Sequence, residues 1–271
     1  MSERVRITVE NGVADVQLTR GEKMNALDDA MFAGLIDAGR TVSIDPAVRC
    51  VVLSGEGRAF CAGLDMGNFG KMAEGGDSGD VGGRRTLEER THGIANRPQQ
   101  AVWVWRACPV PVIAAVHGVA FGGGFQLSLG ADIRIVHPET KMAILEIKWG
   151  LVPDMAGTAI MRDLARDDII RELTYTGRVF SGTEAKEYGF ATQVSESPRE
   201  DALAMAHEIA GKNPDAIRRD KALLSDVGRL GDADALLQES RMQDQVIGKP
   251  NQIEAVMAAL EKRAANFKDA S

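Results

Sequence analysis

Cysteine, histidine and aromatic side chains are all scarce in this chain. Its 3 cysteines, Cys50, Cys61 and Cys108, stand far apart with no Cys-x-x-Cys spacing, which argues against a disulfide framework and favours reduced thiols. The 4 histidines, His92, His117, His137 and His207, are equally scattered, so the pattern offers no zinc site. No apolar run is long enough to span a bilayer: the longest, Val110 to Phe121, contains His117 and falls short of the roughly 20 residues required. The opening segment MSERVRITVE has no apolar signal core, and with the sparse thiols it leads us to expect a cytoplasmic protein. A dense Lys/Arg block is missing too, and the formal net charge is −7. Neither nucleic acid nor an anionic membrane is therefore an expected partner.

What is present is ordinary globular material, 271 residues with 44% hydrophobic and 26% charged side chains, enough to bury a large core. Val5 to Glu10 and Val13 to Thr19 alternate like strands around Asn11-Gly12, a strong short hairpin signal. Asp28 to Ile44 reads as a helix with Met31, Leu35, Ala38 and Val42 on one stripe, and Val48 to Leu53 as a short buried strand. Strand and helix alternate, which predicts an α/β layer architecture. Gly67 to Arg85 holds 7 glycines among polar residues and reads as a surface loop or a lid. Helix is expected within Leu87 to Arg106, kinked or broken at Pro98. Beyond Val194 the pattern turns helical, near Pro198–Gly211, Pro214–Asp226, Asp232–Ile247 and Asn251–Asn266. The expected division is an α/β core over residues 1–195 and a helical region over 196–271.

The chemistry concentrates between Pro111 and Thr158. An apolar strand, Val112 to Val116, leads into Gly122-Gly123-Gly124 at the start of a predicted helix. Glycines there let a ligand approach the backbone, with N–H groups aimed at negative charge; a tight strand-to-helix packing turn is the equal alternative. The spacing is not the G-x-G-x-x-G dinucleotide fingerprint. Small residues in Ala59-Phe60-Cys61-Ala62-Gly63-Leu64-Asp65 could place a second N–H opposite the first. Two such donors would form an oxyanion hole, where one donor is worth about 3 kcal/mol of transition-state stabilisation.

GEKMNAL at 21–27, AFCAGLDM at 59–66, PVIAAVHGVAFGGG at 111–124, ADIRI at 131–135 and TGRVFSGTEAKEYGF at 176–190 follow one another in an order that resembles the crotonase family. That family includes the enoyl-CoA hydratases and isomerases. The resemblance implies a spiral of strand–strand–helix repeats with a C-terminal helical trimerisation region, giving homotrimers or dimers of trimers. It implies oxyanion-hole amides at Leu64 and Gly123. Lys23, Ala26, Ala62, Gly63, Leu64, Asp65 and Gly123 would line the coenzyme A part of an acyl-CoA thioester. Coenzyme A would arrive as part of the substrate, and no separate cofactor or metal is expected.

Three residues bear on the reaction. Glu146, in the apolar context Met142-Ala143-Ile144-Leu145, could carry a raised pKa and move protons, or else belong to a structural ion pair. The family's hydratases, as the resemblance implies, hold water between two glutamates, matching Glu146 and the position of Gln126. An amide cannot take up a proton at neutral pH, so Gln126 could position water or substrate but not act as the second acid. Asp154 reads either as a helix N-cap or as a second acid, since its spacing from Glu146 resembles that of two acids in the family's dienoyl-CoA isomerases. The expected activity is double-bond isomerisation of a 3-enoyl- or dienoyl-CoA. The alternatives are hydration of a 2-enoyl-CoA by Glu146 alone and a non-catalytic acyl-CoA-binding protein.

Overall fold

The computed structural model describes residues 3–65, 67 and 86–270; apart from Gly67, the segment read above as a loop or lid lies outside them. Strands β1 (Val5–Glu10) and β2 (Val13–Leu18) pair antiparallel, with Glu10 opposite Val13. The two-residue turn between them has Asn11 at φ 50° and Gly12 at φ 81°, the left-handed pair that matches strand twist. Helix α1 (Asp29–Ile44) follows, and the Asp28 carboxylate accepts the Met31 N–H at 2.8 Å, a cap worth about 1 kcal/mol. Met31, Leu35, Ala38 and Val42 are all buried along it, as their spacing predicts.

Strands β3 (Cys50–Gly55), β4 (Val112–Val116), β6 (Ile133–Val136) and β8 (Gln193–Val194) extend the sheet in parallel, in the order β1-β2-β3-β4-β6-β8. Both faces of this sheet are covered, which explains the unbroken apolar runs of the parallel strands. Val51, Leu53, Val112, Ala114 and Val116 face the main core with α1. Cys50, Val52, Ile113 and Ala115 face Ala202, Ala206 and Ala210 of α7 (Pro198–Ala210). The first helix past residue 195 thus closes the back of the sheet.

A second, smaller layer positions the site. β5 (Val119–Phe121) and β7 (Lys141–Ala143) pair parallel, and single bridges Leu27–Leu64, Cys61–Ala120 and Met142–Phe180 continue the layer on either side. Successive turns of chain therefore give one strand to each layer, β4 then β5, β6 then β7.

Helix α2 (Arg97–Arg106) differs from the expectation. It starts at Arg97 with Pro98 in its first turn, capped by Asn96 and Gln99 in a reciprocal box. Pro98 begins the helix instead of kinking it, because the N–H it lacks has no partner in a first turn. Between α3 (Gly123–Leu129) and α7 lie α4 (Gly157–Met161), α5 (Asp167–Thr176) and α6 (Gly182–Tyr188). After α7 come α8 (Pro214–Asp226), α9 (Asp232–Asp244) and α10 (Pro250–Glu261). The last is shorter than its pattern predicts, since Lys262 turns left-handed at φ 53°. No helix among the described residues is long and apolar enough to cross a membrane.

Candidate active site

The strand-to-helix turn at Gly122 is the hinge of the site. Gly122 holds φ 51° and ψ −116°, a conformation that only glycine adopts without strain. Its N–H donates to the Ala143 carbonyl at 3.0 Å, which fixes the end of β5 against β7. The next residue, Gly123, opens α3, and a first-turn N–H has no partner within its own helix. Across from it, Leu27 and Leu64 form a parallel bridge: Leu27 N–H donates to Gly63 O at 2.8 Å, and Asp65 N–H to Leu27 O at 3.1 Å. In that pattern Leu64 itself turns its N–H away from Leu27. The two segments are in close contact, since a Cβ at Gly63 would lie 3.6 Å from Gly123 N and one at Gly124 only 2.1 Å from Cys61 O. Leu64 and Gly123, far apart in sequence, are thus on facing backbone segments.

The first of these segments is held from behind. Asn25, buried and left-handed at φ 54°, donates to Glu56 O and Ala59 O and accepts from Arg20 N–H. Arg20 pairs with Asp65 at 2.6 Å. The Gly67 N–H holds the Asp65 carboxyl below its ordinary range; burial opposes it, and the Arg20 guanidinium and the Lys23 charge add to the lowering. Among the residues expected to line a coenzyme A portion, Lys23 is exposed, Ala62 and Leu64 are half-buried, and Ala26 and Gly63 are buried. Arg20 and Asn25 were not singled out from the sequence. The signal available was an Asn in a short loop, a residue type that tolerates positive φ.

Glu146 begins a 3-10 turn, Glu146–Trp149, and is 9% exposed. A Cβ on Gly122 would lie 3.3 Å from its Oε1, so the carboxylate stands directly against the turn that carries the Gly123 amide. Burial raises its pKa above the usual glutamate value. Its own backbone N–H and the Gln126 amide pull the other way, while the charge of Asp154 adds to the rise. Oε1 accepts the Gln126 Nε2–H at 2.6 Å, whereas Oε2 is buried and makes no hydrogen bond to the described residues.

Gln126 is fully buried, and its amide is engaged at both ends. While Nε2 donates to Glu146, Oε1 accepts the N–H groups of Met155 at 2.9 Å and Gly157 at 3.0 Å. The side chain therefore faces Glu146 and the 155–157 backbone instead of standing open to water. Its neighbour Phe125 points into the core, edge-on to Phe180 and Phe190 with ring centroids 5.7 and 5.3 Å away, contacts worth about 0.5–1.5 kcal/mol each.

Asp154 is not a helix cap. α4 starts at Gly157 with Ala156 at the N-cap and no side-chain cap bond. Asp154 is exposed, yet protein surrounds its carboxyl closely enough for desolvation to raise its pKa.

Two facing backbone segments, a buried carboxyl beside one of them and a spiral that feeds two layers together describe the crotonase fold. The chain belongs to the enoyl-CoA hydratase/isomerase family, whose model matches residues 8–270. It is 31% identical to the mitochondrial Delta(3,5)-Delta(2,4)-dienoyl-CoA isomerase of Mus musculus over 96% of this chain and 80% of that protein. It is 34% identical to the 1,2-epoxyphenylacetyl-CoA isomerase of Escherichia coli over 78% of this chain and 77% of that protein. A crystal structure of an enoyl-CoA hydratase from Bacillus anthracis superposes with a TM-score of 0.87 at 29% identity, covering 98% of this chain and 99% of that one.

Proposed function

We propose that the protein isomerises the double bond of an acyl-CoA thioester through an enolate, with the Leu64 and Gly123 amides as the oxyanion hole and Glu146 as the base. The observation that carries this reading is the pairing, on a single buried carboxyl at the Gly122–Gly123 turn, of one hydrogen-bonded oxygen and one with no partner among the described residues. With a 3-enoyl-CoA, ionised Glu146 takes the C2 proton and the electron pair spreads onto the thioester oxygen, where the two N–H groups meet it. The protonated carboxyl then returns its proton to C4, and the double bond ends between C2 and C3.

For a 3,5-dienoyl-CoA the returned proton must reach C6, and Asp154 is the group proposed to deliver it. Its raised pKa and its electrostatic contact with Glu146 favour that role. Hydration is the second reading, and it would leave Glu146 as the one carboxyl to activate water, because the Gln126 amide is engaged elsewhere. The helices after residue 195 are proposed to assemble trimers, since Leu224, Leu236 and Leu260 are 73%, 63% and 73% exposed. On this reading the division into a core over 1–195 and an oligomerisation region over 196–271 is one of function and not of packing, because α7, past residue 195, covers the core sheet.

The test is NMR of the protein with 2-enoyl-, 3-enoyl- and 3,5-dienoyl-CoA in deuterated water. Double-bond migration with deuterium uptake supports the proton shuttle, and a 3-hydroxyacyl-CoA product would move the assignment to hydration. Tight binding with no exchange at any carbon would replace both with a non-catalytic acyl-CoA binder.

A further inference from the structure

The amide at position 126 does something specific to the carboxyl at 146. Two backbone donors, Met155 N–H and Gly157 N–H, converge on the Gln126 oxygen at 2.9 and 3.0 Å. They fix which end of the amide is oxygen, because the opposite orientation would set two donors against the Nε2 donor. Nε2 is then forced towards Glu146 Oε1, 2.6 Å away. The Glu146 carboxyl cannot rotate freely to present either oxygen, and the oxygen with no hydrogen bond among the described residues is Oε2.

We propose that Gln126 is a positioning residue: it holds Oε1 of Glu146, leaves Oε2 as the atom that exchanges the substrate proton, and ties that carboxyl to the 155–157 backbone next to Asp154. The inference rests on Glu146 being the base. It assigns to the glutamine a task that a carboxylate could not perform in the same place. A glutamate at 126 would still accept the two backbone N–H groups with one oxygen, but its other oxygen would face Glu146 Oε1 at hydrogen-bonding distance. Two acceptors that close need a shared proton between them, and a base that shares a proton titrates at higher pH. The same clamp links three parts of the site. Gln126 lies one turn into the helix that Gly123 opens, and Met155 lies beside Gly123, where a Cβ would come within 2.7 Å of the Met155 sulfur. The base, the oxyanion helix and the loop of the second acid are thus set against one another through one side chain.

The experiment compares wild type, Gln126→Glu, Gln126→Met and Glu146→Gln by the pH dependence of kcat/KM for 3-enoyl-CoA, with melting temperature alongside. The acid limb is expected to move to higher pH in both Gln126 variants, by about one unit or more in Gln126→Glu. Gln126→Met loses the amide bond that favours the ionised carboxyl, so its limb moves the same way. A merely structural role would lower the melting temperature or kcat and leave the limb in place, and that result overturns the proposal. In the wild type the Gln126 side-chain amide resonance should titrate with the midpoint of the acid limb. An amide resonance that ignores pH across the limb overturns the proposal even if a variant fails to fold. Turnover surviving in Glu146→Gln would instead remove the underlying assignment of the base, a separate failure.

Discussion

Replacing Gly124 with alanine sets two opposed effects against each other, and the structure decides which wins. Gly124 sits inside α3, where alanine is favoured over glycine by about 1 kcal/mol on helix propensity. Against that, its Cβ would lie 2.1 Å from Cys61 O and 2.8 Å from Cys61 C. Both are backbone atoms, so no side-chain rotation relieves the clash. Bringing that oxygen to an ordinary contact of about 3.4 Å requires a shift of about 1.3 Å (3.4 − 2.1). Cys61 O accepts the Phe121 N–H at 3.1 Å, and Cys61 N–H donates to Val119 O at 3.0 Å, so the displacement breaks the bridge that brings Leu64 towards Gly123. Overpacking of this kind costs about 1–3 kcal/mol, leaving a net loss of about 0–2 kcal/mol after the propensity gain. Misplacing a reacting group by about 1 Å can cost about a hundredfold in rate. Urea unfolding and kcat on the active enoyl-CoA are the assays. Gly228→Ala serves as the control, since a Cβ there has nothing within 4 Å. A Gly124→Ala protein that is at least as stable as wild type and turns over normally would refute the facing-segment geometry.

Glu146→Gln is expected to lower kcat about 10²–10⁴-fold while raising the melting temperature at neutral pH. The sign follows from the raised pKa: between the unfolded and folded values the native state binds more protons, so wild-type stability falls as pH rises through that window. The variant should lack that fall, and a wild type that gains stability there would contradict it. The acid limb of kcat/KM should lie above the ordinary glutamate range, because Glu146 must be ionised to act as a base; a pH–rate profile checks this. Asp154→Asn should move the limb to lower pH by removing the charge that raises the Glu146 pKa. It should also slow 3,5-dienoyl-CoA far more than 3-enoyl-CoA; equal effects on both substrates would leave Asp154 without a place in proton delivery. Lys221→Met should cost about 3 kcal/mol in urea unfolding. Lys221 Nζ holds Asp132 at 2.7 Å and Val110 O at 2.8 Å, and a loss under 1 kcal/mol would show the pair to be dispensable.

The parts of the fold that were legible in the sequence are those governed by local rules. The Asn11-Gly12 hairpin, the α1 stripe and the start of each late helix depend on neighbours in sequence, and they sit where the pattern puts them. Pro98 was misread because a proline inside a helical pattern can either break the helix or begin it. The capping box of Asn96 and Gln99 decides, and it is visible only once the preceding residues are known to be non-helical. Leu64, Gly123 and Glu146 were singled out through family motifs, but how they lie relative to one another was not legible, since it depends on the second layer of single bridges. The partners of Gln126 were beyond reach as well, because Met155 and Gly157 meet it across 29 and 31 residues of chain.

The reaction then turns on where protons can reside. A site with two facing carboxyls can leave one ionised and one protonated, as adding water across a double bond requires. Here the amide at 126 cannot hold a mobile proton, and its acceptor end is occupied by backbone. With Glu146 as the base, as proposed, the proton it removes stays on Glu146 or passes towards Asp154, the neighbour whose charge it feels. On that proposed reading both routes return a proton to the same carbon skeleton and leave the atom count of the substrate unchanged, which is why isomerisation is proposed ahead of hydration.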